Sequence, residues 1–245
     1  MNNHNKRAGQ STRDMADKRY KSRVWFVLLM AGAVLLILVL VFNSKALGIG
    51  VLGILGLGFL ARFTMDYMEG KAKRMMREER RAVRGAKAEE KIGAILESLG
   101  EDYLVSHDIE SPFGNIDHIV ISKQSNVFLI ETKAHGGRVS IVNGRLLVNG
   151  HEPEKDFIAQ ALKNTYWLRD EIRGVINVDI WITPVVVFTN AFVERTGPIK
   201  GVTIINKKYL LNLLQRPSMK AHNLAVWESR EKLQEVLYAQ SRVSS

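Results

Sequence analysis

From Val24 to Phe42 every position is apolar, a run of 19 residues without a charge. About 20 such residues in a helix cross the hydrocarbon core of a bilayer, whereas a soluble helix of that length keeps a polar face. After Asn43-Ser44-Lys45 the pattern returns from Ala46 to Ala61, 16 residues with five glycines. At ~1.5 Å per residue the second run reaches roughly 24 Å, enough to span with local thinning and with Arg62 snorkelling. Glycine at that density suits close helix packing in lipid. The pattern predicts a transmembrane hairpin over residues 24–61, with spans at 24–42 and 46–61 and a three-residue outer turn. A buried soluble helix and a cleaved signal peptide compete with this reading; the all-round apolarity speaks against the first and the second apolar run against the other.

The flanks differ. Residues 1–23 are polar and basic and read as a disordered arm. Residues 62–84 carry spaced Arg and Glu with no apolar stripe and read as a charged juxtamembrane helix, solvated or touching anionic lipid with its basic face. From Gly85 a helical period sets in: Glu89, Ile92, Gly93, Leu96 and Leu99 share one face, with Glu90 turned about 100° away.

Beyond Asp102 the period becomes that of strands. Tyr103-Leu104-Val105 forms a first one, and Ser111-Pro112-Phe113-Gly114 a loop. Ile116–Ile121 and Val127–Ile130 are β-branched, apolar strands joined by the turn Ser122–Asn126. His135-Gly136-Gly137 breaks the second strand. Val139–Val148 makes a hairpin around Asn143-Gly144, with a further turn at Asn149-Gly150. Asp156–Arg173 is a helix closed by Gly174, with Phe157, Ala161, Asn164, Leu168 and Ile172 on one face and Tyr166 and Trp167 read as core residues. Ile180–Phe188 is a strand whose Pro184 marks a sheet edge or bulge. Val202–Ile205 is another, and Asn206 caps a helix from Lys207 to Gln215 that Pro217 ends. An amphipathic helix over 222–240 precedes a frayed Ser-rich end. Strands interleaved with helices give an α/β domain at 85–205, followed by C-terminal helices at 206–245.

The net charge of +10 suggests nucleic acid until it is mapped. Residues 1–23 carry about +5, residues 62–87 about +5 and Lys45 one more, leaving 88–245 near −1. The basic charge therefore flanks the apolar runs. By the positive-inside rule it places the arm and the main domain on the cytoplasmic side of a cell (inner) membrane, as a multi-pass protein. The chain has no cysteine, so disulfides and thiolate zinc sites are excluded. His107, His118, His135 and His151 show no metal-ligand spacing. Neither a phosphate-binding glycine loop nor a serine nucleophile elbow occurs.

Three charges interrupt the apolar strands: Asp117, Glu131 and Lys133. Glu131 and Lys133 share a strand face with Val127 and Leu129. If Ile121 pairs with Val127, the register sets Asp117 opposite Glu131. Two carboxylates so close repel, and a divalent cation relieves them; a Lys beside them can orient water or neutralise a phosphate. A surface hairpin with three solvated charges fits the same spacing. His118, one residue along, points to the other face and reads as a packed or hydrogen-bonded residue.

Asp117 followed by Glu131-Thr132-Lys133 after an apolar strand resembles the PD-(D/E)xK nuclease core. More narrowly the region resembles the NERD (nuclease-related) domain, in Gly85-Ala86-Lys87-Ala88-Glu89, Ile116-Asp117-His118, Ile130-Glu131-Thr132-Lys133, Gly136-Gly137 and Gln160-Ala161. The likeness covers about residues 85–190. It departs at Ala88, where a second glycine is usual, and at Ala134-His135, where Asn and an aromatic are common. The resemblance implies a restriction-endonuclease-like mixed sheet flanked by helices. It also implies Mg²⁺ or Mn²⁺ held by Asp117, Glu131 and the Thr132 carbonyl, with Glu89 on a second metal or a metal-bound water. Lys133 would orient water or stabilise charge, and Gln160 would position the attacking water. As plain structure, Glu89 is a helix-start residue favoured by the macrodipole and Gln160 an ordinary polar helix residue.

The expectation is a membrane-anchored, metal-dependent nuclease acting on nucleic acid, DNA more than RNA, with the lipid bilayer as its other partner. The alternative is a non-catalytic membrane adaptor that keeps the fold to bind nucleic acid or protein.

Overall fold

The computed structural model describes residues 6–43, 48, 50–194, 197–216 and 224–243. It divides into two compact units, residues 12–83 and residues 1–11 with 84–245.

The first unit holds most of helix α1 (Gln10–Phe42) and the first part of helix α2 (Val51–Glu97). The helices run antiparallel. Arg23 Nε lies 2.9 Å from Glu79 Oε2, Arg19 donates to the Glu78 carbonyl at 3.0 Å, and the rings of Phe26 and Tyr67 meet edge-on at 6.4 Å. Elsewhere Leu28, Leu29, Leu36, Leu52 and Phe59 point outward and are exposed. Both helices are long and apolar enough to cross a membrane. Most of the expected outer turn, Ser44 and Lys45, and the start of the second apolar run lie outside the described residues. Two expectations are corrected. The basic arm is helical from Gln10, and it is tied to α2 by the Arg23–Glu79 ion pair and by Arg19 on the Glu78 carbonyl. The charged connector and the helix from Gly85 are one continuous helix, which runs through Gly70 and Gly85 without a break.

The second unit is built on a six-stranded mixed sheet. Its strands are β1 (Tyr103–Ser111), β2 (Gly114–Ser122), β3 (Val127–Val142), β4 (Arg145–Val148), β5 (Ile182–Val193) and β6 (Thr203–Asn206). β1, β2 and β3 form an antiparallel meander, β5 and β6 add in parallel, and β4 pairs back on β3. Helix α3 (Phe157–Ile176) makes the crossover from β4 to β5. Asn206 caps a 3₁₀ turn (Lys207–Tyr209) that leads into α4 (Leu210–Leu214); α5 (Ala225–Glu228) and α6 (Arg230–Val243) follow. On one face of the sheet Ile119, Ile121 and Leu129 pack with Leu168 and Ile172 of α3 and Leu233 and Leu237 of α6. On the other, Val120, Phe128 and Ile130 pack with Ile92 and Leu96 of α2 and Leu210 and Leu214 of α4. Alternating strand residues thus feed two cores.

Several local expectations change. β1 runs on to Ser111, well past Val105. β3 does not end at His135: it passes through a register shift between Lys133 and Gly136. The bulge is held by Asn149, whose Oδ1 accepts from Arg138 N at 2.9 Å. Gly137, at φ 89°, gives Asn149 the space, since a Cβ there would lie 1.9 Å from its Oδ1. α3 runs past Gly174 to a left-handed Asn177 (φ 52°). Tyr166 is exposed, with Arg169 over its ring at 5.4 Å, so it is no core residue. The helices after 205 belong to the same compact unit as the sheet. Pro184 behaves as expected: β6 pairs only from Val185 onward, so at Pro184 β5 has β3 alone as a neighbour. The stop at Pro217 and the Ser-rich end fall outside the described residues.

Candidate active site

The β2–β3 register runs from Ile121↔Val127 to His118↔Ile130, one step short of Asp117 and Glu131. There the ladder stops. Asp117 Oδ2 accepts the Thr132 backbone N–H at 2.6 Å, a side chain taking the place of a strand carbonyl. Past this point β3 continues against β5 alone until β4 joins it. The opening at the end of the ladder is where the charges collect.

Glu131 is 1% exposed and lies under α3. Its Oε2 accepts from Lys133 Nζ at 3.2 Å and its Oε1 from Asn164 Nδ2 at 3.0 Å. Lys133 Nζ also reaches Gln160 Oε1 at 3.5 Å and sits 5.0 Å above the Phe157 ring. Asp156 caps the helix that delivers these partners, its Oδ1 accepting from Ile158 N and Ala159 N at 3.0 Å. His135 packs its ring 5.3 Å from Phe157. The sequence reading missed Asn164. It is fully buried, and Ser111 Oγ lies 2.7 Å from its Oδ1. Its signal was present: a lone polar residue on the apolar face of α3, one turn after Gln160.

Glu89 comes from α2, beneath the other face of the sheet, and is 8% exposed. It reaches the group through its charge. Burial raises the Asp117 carboxyl well above its ordinary range, and the negative charges of Glu131 and then Glu89 raise it further, against Lys133 and the Thr132 N–H. Asp117, Glu131, Lys133 and Gln160 thus converge on one end of the ladder, with Thr132 as the backbone tie, and Glu89 acts on them by charge from α2.

Among the described residues no three His, Cys, Asp or Glu side chains form a ready-made metal cage. Mg²⁺ does not need one: it is bound by one or two carboxylates, with waters and substrate phosphates filling the octahedron. Asp117 and Glu131 fit that role, and the negative charges of Glu131 and Glu89, which add to the effect of burial on Asp117, are what a divalent cation would relieve.

His118 lies on the opposite face, fully buried, its Nδ1 2.8 Å from that of His107 on β1. Burial lowers the pKa of both rings, and His107 lowers that of His118 further. The pair is structural, tied to α6 through Tyr238, whose hydroxyl donates to the His107 carbonyl and accepts from its N–H, both at 3.0 Å.

Comparison with curated proteins and with solved structures gave no match. Against family models, residues 84–189 match the nuclease-related domain, NERD. The match begins on the last turns of α2 and ends in β5, enclosing Glu89, Asp117, Glu131, Lys133 and Gln160. Residues 84–189 of this chain are a nuclease-related (NERD) domain with a nuclease-like mixed α/β fold.

Proposed function

We propose that this protein is a membrane-anchored nuclease that hydrolyses phosphodiester bonds in nucleic acid, DNA before RNA, with Mg²⁺ or Mn²⁺. The observation that carries the reading is the gathering of Asp117, Glu131 and Lys133, with Glu89 in electrostatic range, at the opened end of the β2–β3 ladder. Asp117 and Glu131 would hold the cation, with the Thr132 carbonyl as a further oxygen, and Glu89 would bind a second cation or a bound water. The cation supplies charge stabilisation at the phosphate and lowers the pKa of water. Lys133, kept 14% exposed between Glu131, Gln160 and Phe157, neutralises charge on the attacked phosphate. Gln160 orients the attacking water, and Asn164 fixes the rotamer of Glu131.

The anchor is the pair α1–α2. Residues 6–11 and 84–97 belong to one compact unit, which supports a hairpin whose two ends lie on the same side of the bilayer. Their basic flanks favour the cytoplasmic side of a cell (inner) membrane.

The test is cleavage by the full chain in detergent. Plasmid, linear duplex, single-stranded DNA and RNA are offered with Mg²⁺, Mn²⁺ or EDTA, beside Lys133→Ala and Asp117→Ala at matched folding. Metal-dependent cutting that falls by 100-fold or more in both variants is expected. A folded, metal-loaded chain that cuts nothing would favour a binding adaptor.

A further inference from the structure

Asp108 stands in β1 with a positive φ of 61°, a strained conformation for a side chain other than glycine, and is 1% exposed. It takes no part in the Asp117–Glu131 group. Its carboxylate accepts three donors: the Ser11 N–H at 2.8 Å, the Ser11 hydroxyl at 2.6 Å, and Asn115 Nδ2. Ser11 lies in the opening turn of α1, whose first N–H groups have no partner within the helix and which carries no acidic residue of its own there. A carboxylate 97 residues along the chain supplies that cap.

The turn before Ser11 lies directly on α2. Gly9 (φ 73°) is seated so closely that a Cβ would come within 2.9 Å of the Ala86 carbonyl and 3.4 Å of Glu89 Cβ. A Cβ on Gly93 would come within 2.4 Å of Ala8 Cβ. Ala86, Glu89 and Gly93 are spaced three and four apart, so they form one face of the helix. That face carries the Glu89 of the candidate site.

We infer that Ala8–Ser11 is a clasp that positions the Glu89-bearing turns of α2, with Asp108 as its receptor. The clasp lies outside the matched residues 84–189 and forms part of the site's framework. Its effect on cleavage rests on the nuclease reading; its existence does not.

The test exploits the sign of one substitution. Alanine is the better helix former, so Gly93→Ala alone would tighten α2. With the clasp in place the new methyl displaces Ala8 instead. Ala8→Gly in the same chain removes the clash, since the remaining neighbours, His107 Cε1 at 3.7 Å and Ala8 Cα at 3.9 Å, are ordinary contacts. Hydrogen exchange of the full chain in detergent is read on peptides covering residues 6–16 and 84–97. Gly93→Ala is expected to speed exchange about tenfold in both, and the double variant to return it to the parent's rate. Unchanged or slowed exchange in Gly93→Ala, or no recovery in the double variant, overturns the clasp. Cleavage on the same samples is expected to fall several-fold and recover in parallel. Loosened exchange with undiminished cleavage overturns the positioning role. A parent chain that shows the exchange pattern but cuts nothing overturns the nuclease reading and upholds the clasp.

Discussion

Asp117 and Glu131 are set side by side where β2 leaves β3, with Glu89 in electrostatic range and the Lys133 ammonium beside them. Asp117 binds its proton more tightly folded than unfolded, so its ionised form at neutral pH subtracts from stability. Asp117→Asn keeps an acceptor for the Thr132 N–H and removes the charge. In EDTA it should raise the melting temperature by a few degrees while abolishing cleavage. Mg²⁺ or Mn²⁺ should stabilise the parent chain and not the variant; equal stabilisation of both would move the cation elsewhere. Asn164→Leu leaves Glu131 with one bond fewer in a buried place, at a cost of about 1–3 kcal/mol. Cleavage should drop about 10–100-fold, the usual effect of losing a group that orients a metal ligand.

At the level of elements, the bulge in β3 depends on one glycine. Gly137→Ala meets Asn149 at 1.9 Å in a left-handed backbone and should cost more than about 1 kcal/mol, seen as a lower melting temperature. The β1–β2 pairing carries a pH signature. His107 is buried and its folded pKa lies below the ordinary 6.5, so only the unfolded chain takes up the proton as pH first falls below that value. Stability is complete above about pH 6.5 and declines beneath it, by at most about 1.4 kcal/mol per pH unit for this group. Melting at pH 7.5 and 5.5 should show the fall, and His107→Asn should reduce it. A melting temperature that rises on acidification would contradict this account.

For the whole molecule, the two long helices and the docked N-terminal turn make one expectation. Tags at both ends should be protected from protease in spheroplasts and cleaved after lysis, and alkaline carbonate should leave the chain in the membrane fraction. Exposure of either tag in spheroplasts would reverse the proposed orientation. Much of this organisation was legible in the chain. The apolar runs, the strand pair with its turn, the two Asn-Gly turns and the Asn206 cap follow from local side-chain periodicity and backbone preference. The bulge at Gly136-Gly137 was not, because a chain break and a bulge share one glycine signature, and only the neighbouring β5 keeps the strand going.

The sequence by itself determined which residues interrupt the apolar strands with charge and which strand face they share. Alternation along a strand is a property of neighbours, and one register, Ile121 with Val127, sufficed to set Asp117 against Glu131. Only the tertiary structure decided that Asp117 closes the ladder on Thr132, that Asn164 holds Glu131 from a helix 33 residues on, and that Ser11 is capped by Asp108. Those contacts depend on how helices pack across the two faces of the sheet, and no local periodicity encodes the distance between side chains that only the packed core brings together.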